Sequence, residues 1–167
     1  MKTIRSIPDA LAFSLSKLYY AELAMRDHFI SLEGKLNSAS ITLQLEEQAE
    51  GCENNLLKLE RIFNYLMQDP VPGNLEAITQ LVADTRDIVD LVENRYLKDV
   101  LLTGCIQNIQ AVKISNYRIA YMLAAELELD TVVDLVQQIL EQETEASQSL
   151  SHLFISRFNK YRKTADV

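Results

Sequence analysis

The stretch from Gly104 to Glu126, GCIQNIQAVKISNYRIAYMLAAE, decides the fold. With Leu102 just before it, a stripe runs in steps of four and three through Ile106, Ile109, Lys113, Asn116, Ala120 and Leu123, the period of one helix face. One member of that stripe is a lysine. A buried ammonium must meet carboxylates, reach water or lose its proton, so what Lys113 faces becomes the question put to the rest of the chain.

Working outward, the third long helix occupies roughly Arg95 to Glu126, and a tight break at Glu128 to Asp130 starts a last helix, with Asp130 as its N-cap candidate. The last helix carries Val132, Val136, Ile139, Glu143, Ala146, Leu150 and Leu153 in the same steps. Upstream, Asn74 is placed to cap a short helix, LEAITQLVADTRDIVDLV, and Asp69-Pro70-Val71-Pro72-Gly73 ends whatever precedes it. That preceding helix shows Leu45, Ala49, Cys52, Leu56, Leu59, Phe63 and Leu66, after a polar turn from Lys35 to Ser40. A first long helix, with Pro8 and Asp9 in its first turn, reads Leu11, Leu15, Leu18, Glu22, Met25 and Phe29 and runs to about Glu33, closed by Gly34.

Four long amphipathic helices, with one long connection containing a shorter helix, predict an all-α, ferritin-like four-helix bundle. The shorter helix serves as a crossover between helices two and three, letting those two run parallel. An up-down-up-down bundle with an added helix is the alternative. The 167 residues, 48% apolar with four Gly and three Pro, suit one domain over 1–167, its core at about 6–158 and a basic tail at 157–167.

The net charge of -8 repels nucleic acid and anionic lipid, and the basic tail residues Arg157, Lys160, Arg162 and Lys163 suit a helix C-terminus better than a phosphate site. No apolar run is long enough for a membrane span and the N-terminus lacks the apolar core of a signal peptide, so a cytoplasmic location is expected. Cys52 and Cys105 are too few for a disulfide framework and read as small buried hydrophobes.

Glu22 and Glu143 stand in core register and Glu53 flanks its stripe beside Cys52; the remaining long helix offers Lys113, with Gln110 one turn earlier. Facing carboxylates are how a di-iron or di-manganese bundle holds its metals, with Glu-x-x-His on two of the helices. Here those positions read Glu53-Asn54-Asn55-Leu56 and Glu143-Thr144-Glu145-Ala146, without either imidazole.

Five segments carry a family resemblance: Leu18-Tyr19-Tyr20-Ala21-Glu22, Leu59-Glu60-Arg61-Ile62, Leu81-Val82-Ala83-Asp84, Gln107 through Tyr117, and Leu140-Glu141-Gln142-Glu143. In their order and spacing the chain, from about Ile4 to Phe158, resembles the small bacterial stress-associated ferritin-like proteins of the YciF type, whose activity is not established. The resemblance implies a dinuclear metal site. Its ligands would be a carboxylate at Glu22, a Glu and His at Glu53 and Leu56, a Glu on helix three, and an acid pair on helix four. Against that set, Gln110 and Lys113 stand where helix three should be acidic, and Ala146 or Ser147 replaces the second helix-four ligand.

The expectation is therefore an ion-pair cluster of Lys113 with Glu22, Glu53 or Glu143 in place of metal, no cofactor, and a structural or stress-associated interaction role. The competing reading has Lys113 snorkelling outward and the glutamates in water. Two functional alternatives stand beside it: an iron or manganese oxidoreductase with unusual ligands, and a bundle binding an apolar ligand. His28 and His152 lie beside their stripes and read as surface or boundary residues. Tyr19, Tyr20, Tyr117 and Tyr121 read as packing residues with satisfied hydroxyls. Gly51 and Gly104 fall inside helices, where close helix approach would account for them. Tyr65, Met67, Leu97, Tyr121 and Phe154 are expected to point outward, enough for association as a homodimer or with a related ferritin-like protein.

Overall fold

A computed structural model describes residues 3–32, 35–36 and 39–165, the side chains of 157 and 160–165 excepted. It consists of five helices: α1 (Ile7–Ser31), α2 (Ala39–Leu66), α3 (Glu76–Leu91), α4 (Arg95–Glu126) and α5 (Asp130–Ala165). The described residues contain no strand. The expected stop of α1 at Glu33 and Gly34 and the basic side chains of the tail lie outside the described residues.

Local chemistry sets the helix ends. Ser6 caps α1, its Oγ accepting from the Asp9 N–H at 3.3 Å and donating to Asp9 Oδ2 at 2.8 Å. Met67 and Glu128 adopt φ of 51° and 54°, and behind each the next N–H reaches back, Gln68 to the Phe63 carbonyl and Leu129 to the Ala124 carbonyl. These are left-handed stops of the kind glycine usually supplies. Asn94 caps α4 by accepting from the N–H groups of Tyr96 and Leu97. Asn74, by contrast, does not cap α3: Leu75 holds the N-cap position without a side-chain bond, and the negative charge of Glu76 in the first turn is what favours that end. Asp130 is likewise the first residue of α5 rather than its cap, since the Leu129 carbonyl accepts the first helical N–H groups.

Two apolar clusters fix the topology. One joins the start of α1 (Leu11, Leu15, Leu18) to the end of α2 (Leu59, Ile62, Phe63), the end of α4 (Tyr117, Ala120, Ala124) and the start of α5 (Val132, Val136, Ile139). The other joins the far halves of α1, α2 and α4 to α3 and Leu150 of α5. Helices α2 and α4 thus run parallel, as do α1 and α5, and each pair is antiparallel to the other. The strongest contacts are within α1–α2 and α4–α5, with α1 also against α4 and α2 against α5. This is the ferritin-like arrangement, with α3 as the crossover, packed on α4 and on α1. Lys98 fastens the crossover by donating to the Val89 carbonyl at its C-terminal end, at 2.7 Å.

On α4 the buried stripe is Leu102, Ile106, Ile109, Lys113, Tyr117, Ala120 and Ala124. It keeps steps of four where the expected stripe stepped by three to Asn116 and Leu123, both only half-buried. Gly104 does mark a close approach, because an added Cβ would sit 3.3 Å from Phe154 Cε2. Gly51 marks none: nothing lies within 4 Å of its Cβ position. Phe154 and Tyr121 are half-buried rather than outward, for Phe154 covers Gly104 and Tyr121 leans on the Tyr117 cluster. Tyr65, Met67 and Leu97 are exposed.

Candidate functional site

Between the two apolar clusters lies a polar layer contributed by all four long helices. Glu22 from α1, Asn55 from α2, Lys113 from α4 and Glu143 from α5 are buried, Glu22 and Lys113 to 0% and 2% exposure. Lys113 Nζ lies 2.6 Å from Glu143 Oε1 and 3.2 Å from Glu22 Oε2. Asn55 Nδ2 donates to Glu143 Oε1 at 2.6 Å and to Glu22 Oε1 at 3.1 Å. The buried Tyr117 hydroxyl donates to Glu22 Oε1 at 2.8 Å, and the Cys52 thiol lies against the same carboxylate. Toward the crossover end, Gln110 donates to Gln48 Oε1 at 3.3 Å.

Electrostatics follow from this enclosure. Burial alone would discharge Lys113, but the Glu22 and Glu143 carboxylates more than offset it and hold the amine protonated. Glu22 is pushed up, first by burial and then by Glu143, against the pull of Lys113. Glu22 is thus the carboxyl group that burial drives toward its neutral form, which lessens the charge held so far from water. Burial also pushes the Tyr117 hydroxyl and the Cys52 thiol up, so both stay protonated and the thiol is no nucleophile.

The positions picked out in the sequence divide clearly. Glu22, Lys113, Gln110 and Glu143 come together in the interior. Glu53 does not. It is exposed and paired with Arg26 Nη1 at 2.8 Å, because one residue beyond Cys52 is a rotation of about 100° away from the buried face. Asn55, one turn beyond Cys52 on the inner face, takes its place. Leu56 is buried and apolar, and Ala146 and Ser147 are half-buried. Compared with the ligand set that a dinuclear centre needs, the layer supplies two carboxylates, no imidazole and an ammonium between them. Among the described residues no three His, Cys, Asp or Glu side chains are grouped to hold a metal ion. Two surface recesses, of about 370 and 240 Å³, are lined by none of these residues.

Asn55, Tyr117 and Gln48 are the members that periodicity passed over. A neutral amide in core register attracts less notice than a charge, yet Gln48, Cys52 and Asn55 fall at four-three spacing and carry the signal.

His28 also departs from expectation, being buried at 3% exposure between α1 and the crossover. Its Nε2 bonds Thr85 Oγ1, and that hydroxyl donates to the Val82 carbonyl at 2.7 Å, so Nε2 carries the proton and Nδ1 is left without a partner. Burial, then Arg86 and Lys35, pull the imidazole down to about 4. His152 is exposed. Tyr19 donates to Glu60 Oε1 and stacks edge-on against Tyr20 and Phe63, a packing role.

The family model described as a domain of unknown function, DUF892, matches residues 6–163. The chain belongs to that family. Among solved structures it is similar to the Escherichia coli stress protein YciF, with a TM-score of 0.88 at 18% identity over 94% of this chain and 99% of that one. It is also similar to YcfI of Rhodopseudomonas palustris, with a TM-score of 0.84 at 21% identity over 90% and 96% of the two chains. At these identities the likeness establishes the fold. No curated protein matches the chain.

Two outcomes follow from the buried groups. Lys113→Met leaves two carboxyl groups facing each other without a cation, which costs about 3–5 kcal/mol of stability. Their folded pKa values then rise above the unfolded value, so urea denaturation should show stability falling as pH rises past about 4.3; a change indistinguishable from wild type would mean that Lys113 reaches water. His28 binds its proton near pH 6.5 when unfolded but only near 4 when folded. Stability should therefore fall as pH drops from about 6.5 toward 4, by at most about 1.4 kcal/mol per pH unit, and His28→Phe should flatten that limb.

Proposed function

We propose that this chain is a ferritin-like bundle whose centre is closed by a Lys113–carboxylate cluster where a dinuclear metal site would otherwise sit, and that it serves a structural or stress-associated interaction role. The observation that carries this reading is the Lys113 ammonium, 2.6 Å from Glu143 and 3.2 Å from Glu22. A cation fixed between the two carboxylates that are buried among the described residues repels a metal ion and already supplies positive charge beside them. Around them the layer offers the Asn55, Gln48 and Gln110 amides, the Tyr117 hydroxyl and the Cys52 thiol, a poor donor set for iron or manganese. The similarity to a stress protein and to YcfI, a protein with a proposed structural role, supports the same reading.

The interaction role takes its support from the outer faces. Leu97 and Leu101 on α4, and Ile155 and Phe158 on the antiparallel α5, are exposed near one end of the same helix pair. We infer a homodimer through these faces, in a cytoplasmic setting. No helix among the described residues is long and apolar enough to cross a membrane.

Two measurements test these readings. Protein purified after growth with added iron and manganese should carry neither in stoichiometric amount, and two metal ions per chain would overturn the closed-centre reading. Sedimentation at micromolar concentration should show a dimer, with monomer alone overturning the interface.

A further inference from the structure

Between Asp99 and Glu126, helix α4 carries two charged residues, Lys113 and Arg118, and the first of them is buried. The outer face of the helix is correspondingly bare of charge. Leu97 and Leu101 are exposed toward its N-terminal end and Ile119 and Met122 toward its C-terminal end. Between them the exposed positions are Asn108, Ala111 and Ser115. Their spacing in threes, fours and a seven puts all of them on one stripe, about 38 Å long, bulky and apolar at both ends and slender in the middle. A dimer contact at Leu97, Leu101, Ile155 and Phe158 accounts for one end of this stripe and leaves the other bare. We propose that the two α4 helices of the dimer pair antiparallel along the whole stripe, about a two-fold axis that passes between Asn108 and Ala111.

Under that axis Leu97 of one copy faces Met122 of the second copy, Leu101 faces Arg118 and Ile119, and Asn108 faces Ala111. A two-fold interface has to be complementary to itself, and an antiparallel helix face meets this condition by reading alike from either end. The α4 stripe does so, bulk meeting bulk and small side chains meeting small ones. A partner of different sequence would impose no such symmetry. At the slender waist the helices come closest, and a crossing of about 20° opens a gap toward each end that the leucine, isoleucine and methionine side chains fill. Asn108 and Ser115 supply hydrogen-bonding groups at the waist.

Arg118 sets the direction. Parallel pairing would stack it on Arg118 of the second copy, like charge against like. Antiparallel pairing lays its aliphatic stem along Leu101 instead, with the guanidinium at the rim. There Arg118 already shares a recess with Glu141 and Glu145 of its own α5, whose carboxylates offset its charge. The same direction brings Ile155 and Phe158, exposed near the Leu97 end, toward Ile119 and Met122 of the second copy.

The pairing rests on the homodimer reading, and single cysteines separate the two. Cys52 and Cys105 are buried, so the full wild-type chain, oxidised while folded, should stay unlinked. Ala111→Cys, beside the axis and within disulfide reach of its own copy, should form a linked dimer. Leu97→Cys alone should not, because its copy lies at the opposite end of the stripe, whereas Leu97→Cys and Met122→Cys chains mixed and allowed to exchange should form the mixed disulfide. Ala111→Glu should weaken self-association at least about tenfold by setting like charges against each other, with helix content unchanged since Ala111 is exposed in the single chain. A sedimenting dimer in which Ala111→Cys fails to link, Leu97→Cys links to itself or Ala111→Glu associates as wild type does would overturn the pairing and leave the homodimer standing. Monomer alone would overturn both.

Discussion

An ammonium group buried at the centre of a helical bundle constrains everything around it. Desolvating Lys113 costs several kcal/mol even after relaxation, and the fold recovers that cost only by aiming carboxylates at Nζ from helices other than its own. Glu22 and Glu143 do so from α1 and α5, the two long helices antiparallel to α4. Asn55 completes the ring from α2 by donating to both. The contacts fix the axial register of all four long helices at one level, with an apolar cluster packed on either side. Apolar packing alone tolerates sliding by a turn; a charge that must be met at 2.6 Å does not.

The same constraint bears on chemistry. Ferritin-like bundles use this level of the fold to gather carboxylates around metal ions. Here the Lys113 ammonium stands between two buried carboxyl groups of that layer. What is left is a closed polar layer whose hydroxyl and thiol are kept protonated by burial. Such a layer specifies structure, with the Lys113 ammonium and the Asn55 amide each meeting both carboxyl groups.

How much of this was legible in the sequence depended on which element covered which. The bounds of α4 and the inward direction of Lys113, Glu22 and Glu143 followed from the helical period, because each lies in step with several aliphatic neighbours. Glu53 did not follow. It sits one residue off the buried face of α2, and its charge drew the reading away from Asn55, which hydrogen-bonds the carboxylates without being charged. His28 was misread for a different reason: it lies off the main stripe of α1, and only the crossover α3, laid over that side, buries it against Thr85. A period reports how a helix faces one neighbour and carries no word of a second neighbour contributed from far along the chain. The drift of the α4 stripe from Asn116 to Tyr117 is of the same kind, since repeated steps of four keep facing α1 and α5 as α4 turns past them.

The central claim is that Lys113 Nζ, and no metal ion, occupies the space between Glu22 and Glu143. Crystals grown from protein expressed with added iron and manganese, measured on either side of both absorption edges, test it directly. The account predicts no anomalous peak at the bundle centre and continuous lysine density reaching between the two carboxyl groups. An iron or manganese peak there, with Lys113 turned away, would contradict it.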